Sequence, residues 1–402
     1  LEIWRKLKCA LPLENVDMKF LILSCKTGGG HDSAANALKL QFEKMGHEAF
    51  VFDYLTLAGE KVAKRVANVY VNTVKTVPYV FGEVYKLGMY VSKHSKESPV
   101  YKINKKMAKY LIPYLEEHPY DAIIMTHLFP AETLTYMKKE NIKLPLFIGV
   151  ATDYTCTPFW EETDCDFYVI PHELLMSDFT KRGMPIEKLY PLGIPFTPKI
   201  LNQVNKNEVR EKLQLQLNKK IVLLLGGSMG AGKLIKLVKN FNKSKDKDNL
   251  QIVVICGNNK RIYNRLVKLY GKNETFVILG HTDQMDLYLK ACDIIYTKPG
   301  GLTSTEAAAS RLPLVHTFPI PGCETANKVF FNQLGMSISA PSAKELTEIG
   351  LRLLNSEKDI EKMKKAQEIP SSIFSSASGK IREVKHYIYD HYGSELSLDL
   401  LS

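Results

Sequence analysis

The chain has 402 residues, enough for two domains, and its 45% hydrophobic and 24% charged residues are ordinary for a globular protein. No apolar run approaches the roughly 20 residues of a membrane-spanning helix, so any membrane contact is expected to be peripheral. The formal net charge of +11 favours an anionic partner: nucleic acid, a nucleotide substrate or an anionic membrane surface.

The seven cysteines are scattered without a C-x-x-C pair, which indicates neither a disulfide framework nor a structural zinc site. A reducing, cytoplasmic setting is therefore expected. Residues 1–17 precede the first methionine, Met18, and contain the basic stretch Trp4-Arg-Lys-Leu-Lys8. This segment is either a small amphipathic anchor or an extension that is not native to the protein.

The first half of the chain alternates predicted strands and helices. A strand at 19–25 leads into the glycine turn 28–31, a helix at 32–45 and a strand at 48–53. This βαβ order predicts a parallel sheet flanked by helices. The glycine turn lacks the G-x-G-x-x-G spacing of a dinucleotide fingerprint. Further strands are predicted at 121–126, 146–151, 166–170 and 189–193.

A long helix-forming insertion at about 57–117 interrupts this alternation. Between Glu60 and Lys109 it carries eleven Lys and Arg against three Glu, so most of the excess positive charge lies here. Tyrosines, Phe81 and Met89 are interleaved with the lysines. That mixture suits helices at an anionic membrane surface, and it equally suits solvated helices whose aromatic side chains face their own core.

The alternation resumes after a pause at 195–208, which indicates a linker and a second α/β domain. Glycine-rich turns follow its first two predicted strands, and a terminal helix is predicted at about 371–392. Since ligands bind at the carboxyl ends of parallel strands, two such sheets predict a cleft between them. The predicted strands lie at 220–225, 251–255, 275–279, 293–297 and 314–317.

One stretch of this second half, from Lys298 to Ser310, combines the end of a strand, two glycines and the start of a helix. Gly300 and Gly301 permit a tight turn, hydroxyls at 303–305 are expected to cap, and a helix is predicted to begin at Glu306. Such a turn suits a phosphate, and the Glu306 carboxylate one turn later suits the hydroxyls of an attached ribose. The alternative is an ordinary strand-to-helix loop with a capping box.

Five segments occur in an order that resembles the monogalactosyl- and processive glucosyl-diacylglycerol synthases of glycosyltransferase family 28. They are Ser24-Cys-Lys-Thr-Gly-Gly-Gly-His31, Ala151-Thr-Asp-Tyr-Thr-Cys-Thr-Pro-Phe-Trp160, Gly226-Gly-Ser-Met-Gly230, Thr297-Lys-Pro-Gly-Gly-Leu-Thr-Ser-Thr-Glu306, and Phe318-Pro-Ile-Pro-Gly-Cys-Glu324 with Asn327. The resemblance covers roughly 18–389 and implies an α/β GT-B fold, with two Rossmann-like domains facing across a cleft. It places an acceptor domain at 18–198, a UDP-sugar domain at 199–371, and a C-terminal helix and tail at 372–402 that cross back to the first domain.

The resemblance also implies residue roles in the donor domain. Glycine-loop residues would bind the diphosphate, Glu306 the ribose, the loop after the 275–279 strand the uracil, and Glu324 and Asn327 the sugar. Cys323 stands where the family usually has Gln, which leaves glucose or galactose preference open. The expected donor-site residues are Gly227, Ser228, Gly280, His281, Thr282, Gly300, Gly301, Leu302, Thr303, Glu306, Glu324 and Asn327.

For the chemistry, His31 is the expected base and Asp153 its rival, with Gly29, Gly30, His127 and Trp160 on the acceptor side. Three of these residues have a structural alternative: His31 as a helix cap, Asp153 as a hydrogen-bond anchor, and Trp160 as a packing residue. No Asp-x-Asp motif lies near the donor loops, and no metal or cofactor is expected. The helix dipole and backbone amides would balance the charge of the departing UDP.

The expected partners are UDP-glucose or UDP-galactose, diacylglycerol and the anionic inner face of the cell membrane, without nucleic acid. The resulting function is inverting transfer of a hexose to 1,2-diacylglycerol, giving a β-linked glycolipid that the enzyme could extend further. Two alternatives remain. One is transfer of N-acetylglucosamine to a polyprenyl-linked acceptor, as in a more distant relative, and the other is a basic nucleotide- or nucleic-acid-binding protein without transferase activity.

Overall fold

The computed structural model of the chain describes residues 18–26, 29–66, 68, 78–95, 97–226 and 232–368. The predicted extension at 1–17 and the predicted crossover helix and tail at 372–402 lie outside the described residues. No helix in the described part of the chain is long and apolar enough to cross a membrane.

The first lobe is built on a six-stranded parallel sheet with the order β2-β1-β3-β4-β5-β6. Strand β1 lies between two neighbours, and five of its six residues are buried, as expected for a strand covered by helices on both faces. The strands are β1 (Lys19–Ser24), β2 (Glu48–Asp53), β3 (Ala122–Met125), β4 (Leu146–Val150), β5 (Phe167–Val169) and β6 (Leu189–Tyr190).

The second lobe repeats this plan with a parallel sheet of order β12-β11-β10-β7-β8-β9. The crossover from β9 back to β10 on the other side of β7 creates a point where the strand order reverses, and such points are where open sheets bind ligands. The strands are β7 (Lys220–Leu225), β8 (Leu250–Ile255), β9 (Phe276–Leu279), β10 (Ile294–Thr297), β11 (Leu314–His316) and β12 (Ile338–Ser339).

Helices cover both sheets and form the insertion of the first lobe. Those of the first lobe are α1 (Gly29–Lys44), α2 (Pro78–His94), α3 (Pro99–Asn104), α4 (Ala108–Glu117), α5 (Leu128–Lys139) and α6 (Met176–Thr180). Between the sheets and in the second lobe lie α7 (Lys206–Lys212), α8 (Gly232–Lys243), α9 (Lys260–Tyr270), α10 (Met285–Ala291), α11 (Gly301–Ala309), α12 (Cys323–Gln333), α13 (Ala343–Leu354) and α14 (Glu357–Ala366).

The predicted α/β class with two Rossmann-like sheets is confirmed, and the sequence locates eleven of the twelve strands to within a few residues. The missing strand, β12, has only two residues and lies at a sheet edge, where the apolar signal is weakest. Two helix starts are wrong. Helix α1 begins at Gly29 rather than at 32, and α11 begins at Gly301 rather than at Glu306.

The two lobes share a hydrophobic core at the seam between them. Tyr154, which follows β4 in the first lobe, packs its ring against Phe330 and Phe331 of α12, with centroids 4.8 Å apart in both pairs. Its hydroxyl lies 2.8 Å from Thr305 Oγ1 on α11. The segment after β4 is therefore seated between two helices of the second lobe.

Candidate active site

Helix α11 presents its N-terminus at the seam. Gly300 occupies the N-cap position without a side chain to cap it, so the first-turn N–H groups can bind an external anion. At Gly301 the first lobe comes very close, since a Cβ there would lie 2.0 Å from the Thr152 carbonyl oxygen. Leu302 faces Gly30 in the first turn of α1, because a Cβ on Gly30 would lie 3.8 Å from the Leu302 Cβ. The two glycine turns therefore meet.

The hydroxyls expected to cap this helix lie inside it instead. Ser304 Oγ is 2.9 Å from Nε2 of the buried His316, whose pKa is lowered to about 3 by burial. Thr305 Oγ1 donates to the Gly301 carbonyl oxygen at 2.7 Å and also meets Tyr154. These hydroxyls secure α11 to its neighbours. The residues predicted to contact the phosphate form the N-cap and the first turn of this helix; they are Gly300, Gly301, Leu302 and Thr303.

Glu306 lies one turn after Leu302, on the face of α11 that approaches the first lobe. The side chain is half-buried, and burial raises the pKa of its carboxyl to about 7. A carboxylate desolvated in this way is costly to keep charged unless a hydrogen-bond donor reaches it. Ribose hydroxyls are donors of the right kind.

Glu324, in the first turn of α12, is held from two sides. Lys298, just beyond β10, donates to its Oε1, and the Ile320 N–H donates to its Oε2 at 2.8 Å. The side chains of Lys298 and Glu324 are only 22% and 7% exposed. Lys298 belongs to a motif that the sequence marks, but sequence reasoning assigns it no role. The structure places its positive charge beside Gly300, at the start of α11.

Asn327, one turn further along α12, is fully buried and bonds to both lobes. Its Oδ1 accepts from the Tyr154 N–H at 2.6 Å. Its Nδ2 donates to Asp153 Oδ1 at 2.8 Å and to the Pro299 carbonyl oxygen at 2.9 Å. The second lobe thus holds the Asp153 carboxylate directly.

His31, the third residue of α1, is positioned by the ends of two neighbouring strands. Its Nδ1 lies 2.7 Å from the carbonyl oxygen of Thr126 and 3.1 Å from Thr152 Oγ1. Because a carbonyl oxygen only accepts, Nδ1 carries the proton, and in the neutral ring the lone pair is on Nε2. A neutral imidazole with this tautomer can act as a base through Nε2.

Asp153 and His127 surround His31. Burial raises the pKa of the Asp153 carboxyl, while the Asn327 hydrogen bond and the nearby His31 and Lys298 partly oppose that rise. The His127 ring meets the His31 ring edge-on at 4.6 Å, and burial lowers the pKa of His127 well below its usual value. The His127 Nδ1 accepts from the Phe129 N–H at 3.2 Å, so His127 caps α5 beside the site.

The remaining predicted site residues fall in different places. Gly280, His281 and Thr282 form a loop after β9 in which His281 is exposed and its two neighbours are partly buried, and the Thr282 hydroxyl accepts from the Gln284 N–H. Gly227 and Ser228 lie outside the described residues. Trp160 is 5% exposed and packs under β4, since a Cβ on Gly149 would lie 2.7 Å from its ring. The structure therefore places Trp160 in the core, as its packing alternative predicts.

Comparison with known proteins covers both lobes. The family description "Monogalactosyldiacylglycerol (MGDG) synthase" matches residues 31–196, and "Glycosyltransferase family 28 C-terminal domain" matches residues 221–378. A processive diacylglycerol β-glucosyltransferase of Bacillus cereus (strain G9842) is 30% identical over 329 residues, 80% of this chain and 81% of that protein. The chain belongs to this glycosyltransferase family.

Solved structures agree on the fold of this family member. The crystal structure of Acinetobacter baumannii MurG has a TM-score of 0.55 at 15% identity and covers 88% of this chain and 95% of its own. The Anabaena HepE structure, in complex with UDP-glucose, has a TM-score of 0.53 at 14% identity, and the match covers 93% of this chain and 98% of the HepE chain. Two facing Rossmann-like lobes are the GT-B architecture that the sequence predicts.

The lysine-rich insertion of this family member exposes an apolar surface. On α2, Val84, Leu87 and Tyr90 are 56%, 61% and 64% exposed, and Ile103 on α3 is 66% exposed. Exposed lysines of the same insertion lie on α3, on the turn that joins α3 to α4, and on α4. We name this set the insertion surface; its members are Val84, Leu87, Tyr90, Ile103, Lys102, Lys106 and Lys109.

Helix α2 of the insertion surface is held to the rest of the first lobe by polar contacts that the sequence does not predict. Arg182 donates to Ser92 Oγ on α2 at 2.8 Å and to the Cys156 carbonyl oxygen at 2.9 Å, and it pairs with Glu161. Helix α2 also reaches the second lobe, because a Cβ on Gly322 would lie 2.8 Å from the Tyr85 ring. Helix α2 therefore adjoins both Cys323 and the seam.

Proposed function

We propose that this protein transfers a hexose from a UDP-sugar to the free hydroxyl of 1,2-diacylglycerol, with inversion to a β-linkage. The observation that carries the proposal is the meeting of the two glycine turns. There, His31 of the first lobe stands opposite the uncapped helix start and Lys298–Glu324 pair of the second. Support comes from the relatives, which are named diacylglycerol β-glucosyltransferases and match along both lobes.

His31 is the proposed base. Its Nδ1–H is committed to the Thr126 carbonyl, so Nε2 can take the proton of the acceptor hydroxyl as the oxygen attacks the anomeric carbon. The ring becomes an imidazolium with both nitrogens protonated. Asp153, whose carboxyl lies close enough to be influenced by His31, favours this positive charge. The bond from the anomeric carbon to the UDP oxygen breaks on the opposite face, which inverts the configuration.

The departing UDP gains negative charge, and the second lobe provides two features that stabilise it. The first-turn N–H groups of α11 offer hydrogen bonds and the positive end of a helix dipole. Lys298 adds a full positive charge two residues before Gly300. Glu306 is proposed to accept from the ribose hydroxyls, and the Gly280–Thr282 loop to meet the uracil. No metal ion is needed in this scheme, and treatment with EDTA is expected to leave the rate unchanged.

The proposed donor sugar is glucose, because the curated relative is named a β-glucosyltransferase. The same name includes "processive", so addition of further glucose units to the first product is part of the proposal. Cys323 opens α12 beside Glu324, and burial together with the Asp153 and Glu324 carboxylates raises the pKa of its thiol. The thiol is therefore neutral and offers the sugar only weak hydrogen bonding.

The insertion surface is proposed to contact the anionic inner face of the cell membrane. Its apolar side chains can enter the headgroup region while the lysines bind anionic lipids. The scattering of the cysteines along the sequence, without a C-x-x-C pair, supports a reducing compartment. No nucleic acid is a proposed partner.

The test is a product assay with the purified full-length chain. It is supplied with diacylglycerol in phosphatidylglycerol-containing vesicles and, separately, with UDP-glucose, UDP-galactose or UDP-N-acetylglucosamine. Mass spectrometry identifies the lipid product, and proton NMR gives the anomeric configuration. We expect a β-glucosyl diacylglycerol, followed by diglucosyl species. Transfer of N-acetylglucosamine alone, or no transfer to diacylglycerol at all, would refute the proposal.

A further inference from the structure

The orientation of the Asn327 carboxamide is fixed by two partners that leave no choice of hydrogen-bond direction. The Tyr154 N–H can only donate, so the atom 2.6 Å from it is the oxygen of the amide. The Pro299 carbonyl can only accept, so the atom 2.9 Å from it is the nitrogen. The second hydrogen on that nitrogen is then directed to Asp153 Oδ1, 2.8 Å away.

Both amide hydrogens of Asn327 are thus used within the protein, and the side chain is 0% exposed. A donor sugar would have to compete with the protein to receive a hydrogen bond from this amide. The arrangement stabilises Asp153 instead, because its carboxylate accepts a hydrogen bond from the opposite lobe. The two residues are 174 positions apart and belong to different lobes, so the contact depends wholly on how the lobes meet.

The groups around the Asp153 carboxyl act on its charge in opposite directions, so the Asn327 hydrogen bond matters for keeping it ionised and in place. The Glu324 carboxylate and the buried surroundings disfavour its charged form, while His31, Lys298 and the Asn327 hydrogen bond favour it. Without the Asn327 donor, the Asp153 side chain would be free to rotate or to take up a proton. In either case its negative charge would no longer face His31.

We propose that Asn327 is a positioning residue for transfer: its carboxamide, fixed by Tyr154 and Pro299, holds the Asp153 carboxylate at the seam where it supports His31. The inference rests on the proposed function, and it assigns Asn327 an action through Asp153 rather than on the sugar. It also means that Asp153 is correctly placed only while the two lobes are joined.

The test is a double-mutant cycle in the full-length protein with Asn327→Ala, Asp153→Asn and the two changes together. For each protein, kcat, the KM for UDP-glucose and the pH dependence of kcat/KM are measured. The matched control is Asn332→Ala, an asparagine on the same helix that bonds to Ser337 and Ser339, away from the seam. Asn327→Ser, which removes less volume, replaces the alanine variant if that protein does not fold.

We expect Asn327→Ala to lower kcat by about 10- to 100-fold, the range for losing a hydrogen bond to a charged group. The KM for UDP-glucose should stay within about twofold of the wild-type value if the bond acts only on Asp153. The acidic limb of kcat/KM should move to higher pH, because Asp153 has lost a donor that favours its ionised form. In the Asp153→Asn background the same change should cost less than about threefold.

Two results would overturn the inference. A higher KM with unchanged kcat would assign Asn327 to the donor sugar, and losses that multiply in the double variant would show that Asn327 acts independently of Asp153. Either result leaves the proposed function standing, because wild-type transfer is measured in the same assay. Absence of wild-type transfer to diacylglycerol would instead remove the proposed function itself.

Discussion

The Nδ1 atom of His31 lies 2.7 Å from the carbonyl oxygen of Thr126, and that contact fixes the proton on Nδ1. Nε2 is therefore the nitrogen that can accept a proton in the neutral ring. His31 lies in the first turn of α1, and its contact with Thr126, the residue just after the neighbouring strand β3, selects the orientation of the ring. The second lobe therefore meets an imidazole whose tautomer is already set.

Replacing His31 with Ala should lower kcat by about 10²- to 10⁴-fold, the usual contribution of a general base. The KM for UDP-glucose should change little, because the donor is proposed to bind to the other lobe. Steady-state kinetics at saturating diacylglycerol measures both quantities. His118→Ala, at an exposed position after α4, is the control. Near-normal turnover of the His31 variant would transfer the base role to Asp153.

Glu306 should make donor binding depend on pH. The pKa of its carboxyl is about 7, so the ionised form that accepts from ribose hydroxyls prevails above that pH and is lost below it. The KM for UDP-glucose should therefore rise as the pH falls below about 7. Glu306→Gln should raise the KM and remove this dependence, while Glu348→Gln, exposed on α13, should change neither. A wild-type KM in the Glu306 variant at every pH would exclude the ribose role.

The sequence predicts the sheets well because their strands are continuous apolar runs, as in β1 and β8, and such runs are local signals. It fails at the start of α11 because the local signal there is overridden by contacts with other elements. The hydroxyls at 303–305 look like caps, but Ser304 and Thr305 bond to His316 and Tyr154 instead. Those partners become neighbours only when the sheet and the lobe seam form.

The candidate site shows the same contrast between local sequence signals and contacts between distant elements. Glu306 and His31 stand beside glycine turns and can be found from the sequence. The role of Lys298 depends on Glu324, 26 residues away, and the placement of Asp153 depends on Asn327, 174 residues away. No pattern within one element predicts contacts between elements of two lobes. Only the family resemblance draws attention to those positions.

The insertion surface should bind anionic vesicles in a salt-dependent way. Changing Lys102, Lys106 and Lys109 to Gln removes three charges worth about 1 kcal/mol each near such a surface, or about 100-fold in affinity. Cosedimentation with phosphatidylglycerol vesicles at low and high salt measures the loss. Lys358, Lys362 and Lys365 on α14 form the control set. Equal losses from both sets, or stronger binding to duplex DNA than to vesicles, would contradict a dedicated membrane surface.

Glu132 on α5 should make the stability of the insertion depend on pH. It is 0% exposed and accepts from Asn104 Nδ2 at the end of α3, while the Glu162 carboxylate nearby accepts from the Ser98 N–H at the start of α3. Burial, together with Glu162, raises the pKa of Glu132 to about 9. At neutral pH the folded protein therefore keeps a proton on Glu132, whereas the unfolded chain releases it above about pH 4.5.

Since the unfolded chain binds fewer protons across this range, the free energy of unfolding should fall as the pH rises from about 5 towards 9. Glu132→Gln keeps a neutral acceptor for Asn104 and removes the titration. Relative to wild type, it should gain up to about 1.4 kcal/mol per pH unit in that window. Urea unfolding at several pH values measures the difference, with Glu117→Gln, exposed on α4, as the control. Parallel curves for wild type and Glu132→Gln would mean that Glu132 is already ionised in the folded protein, and α3 would then be held by a charged pair of glutamates.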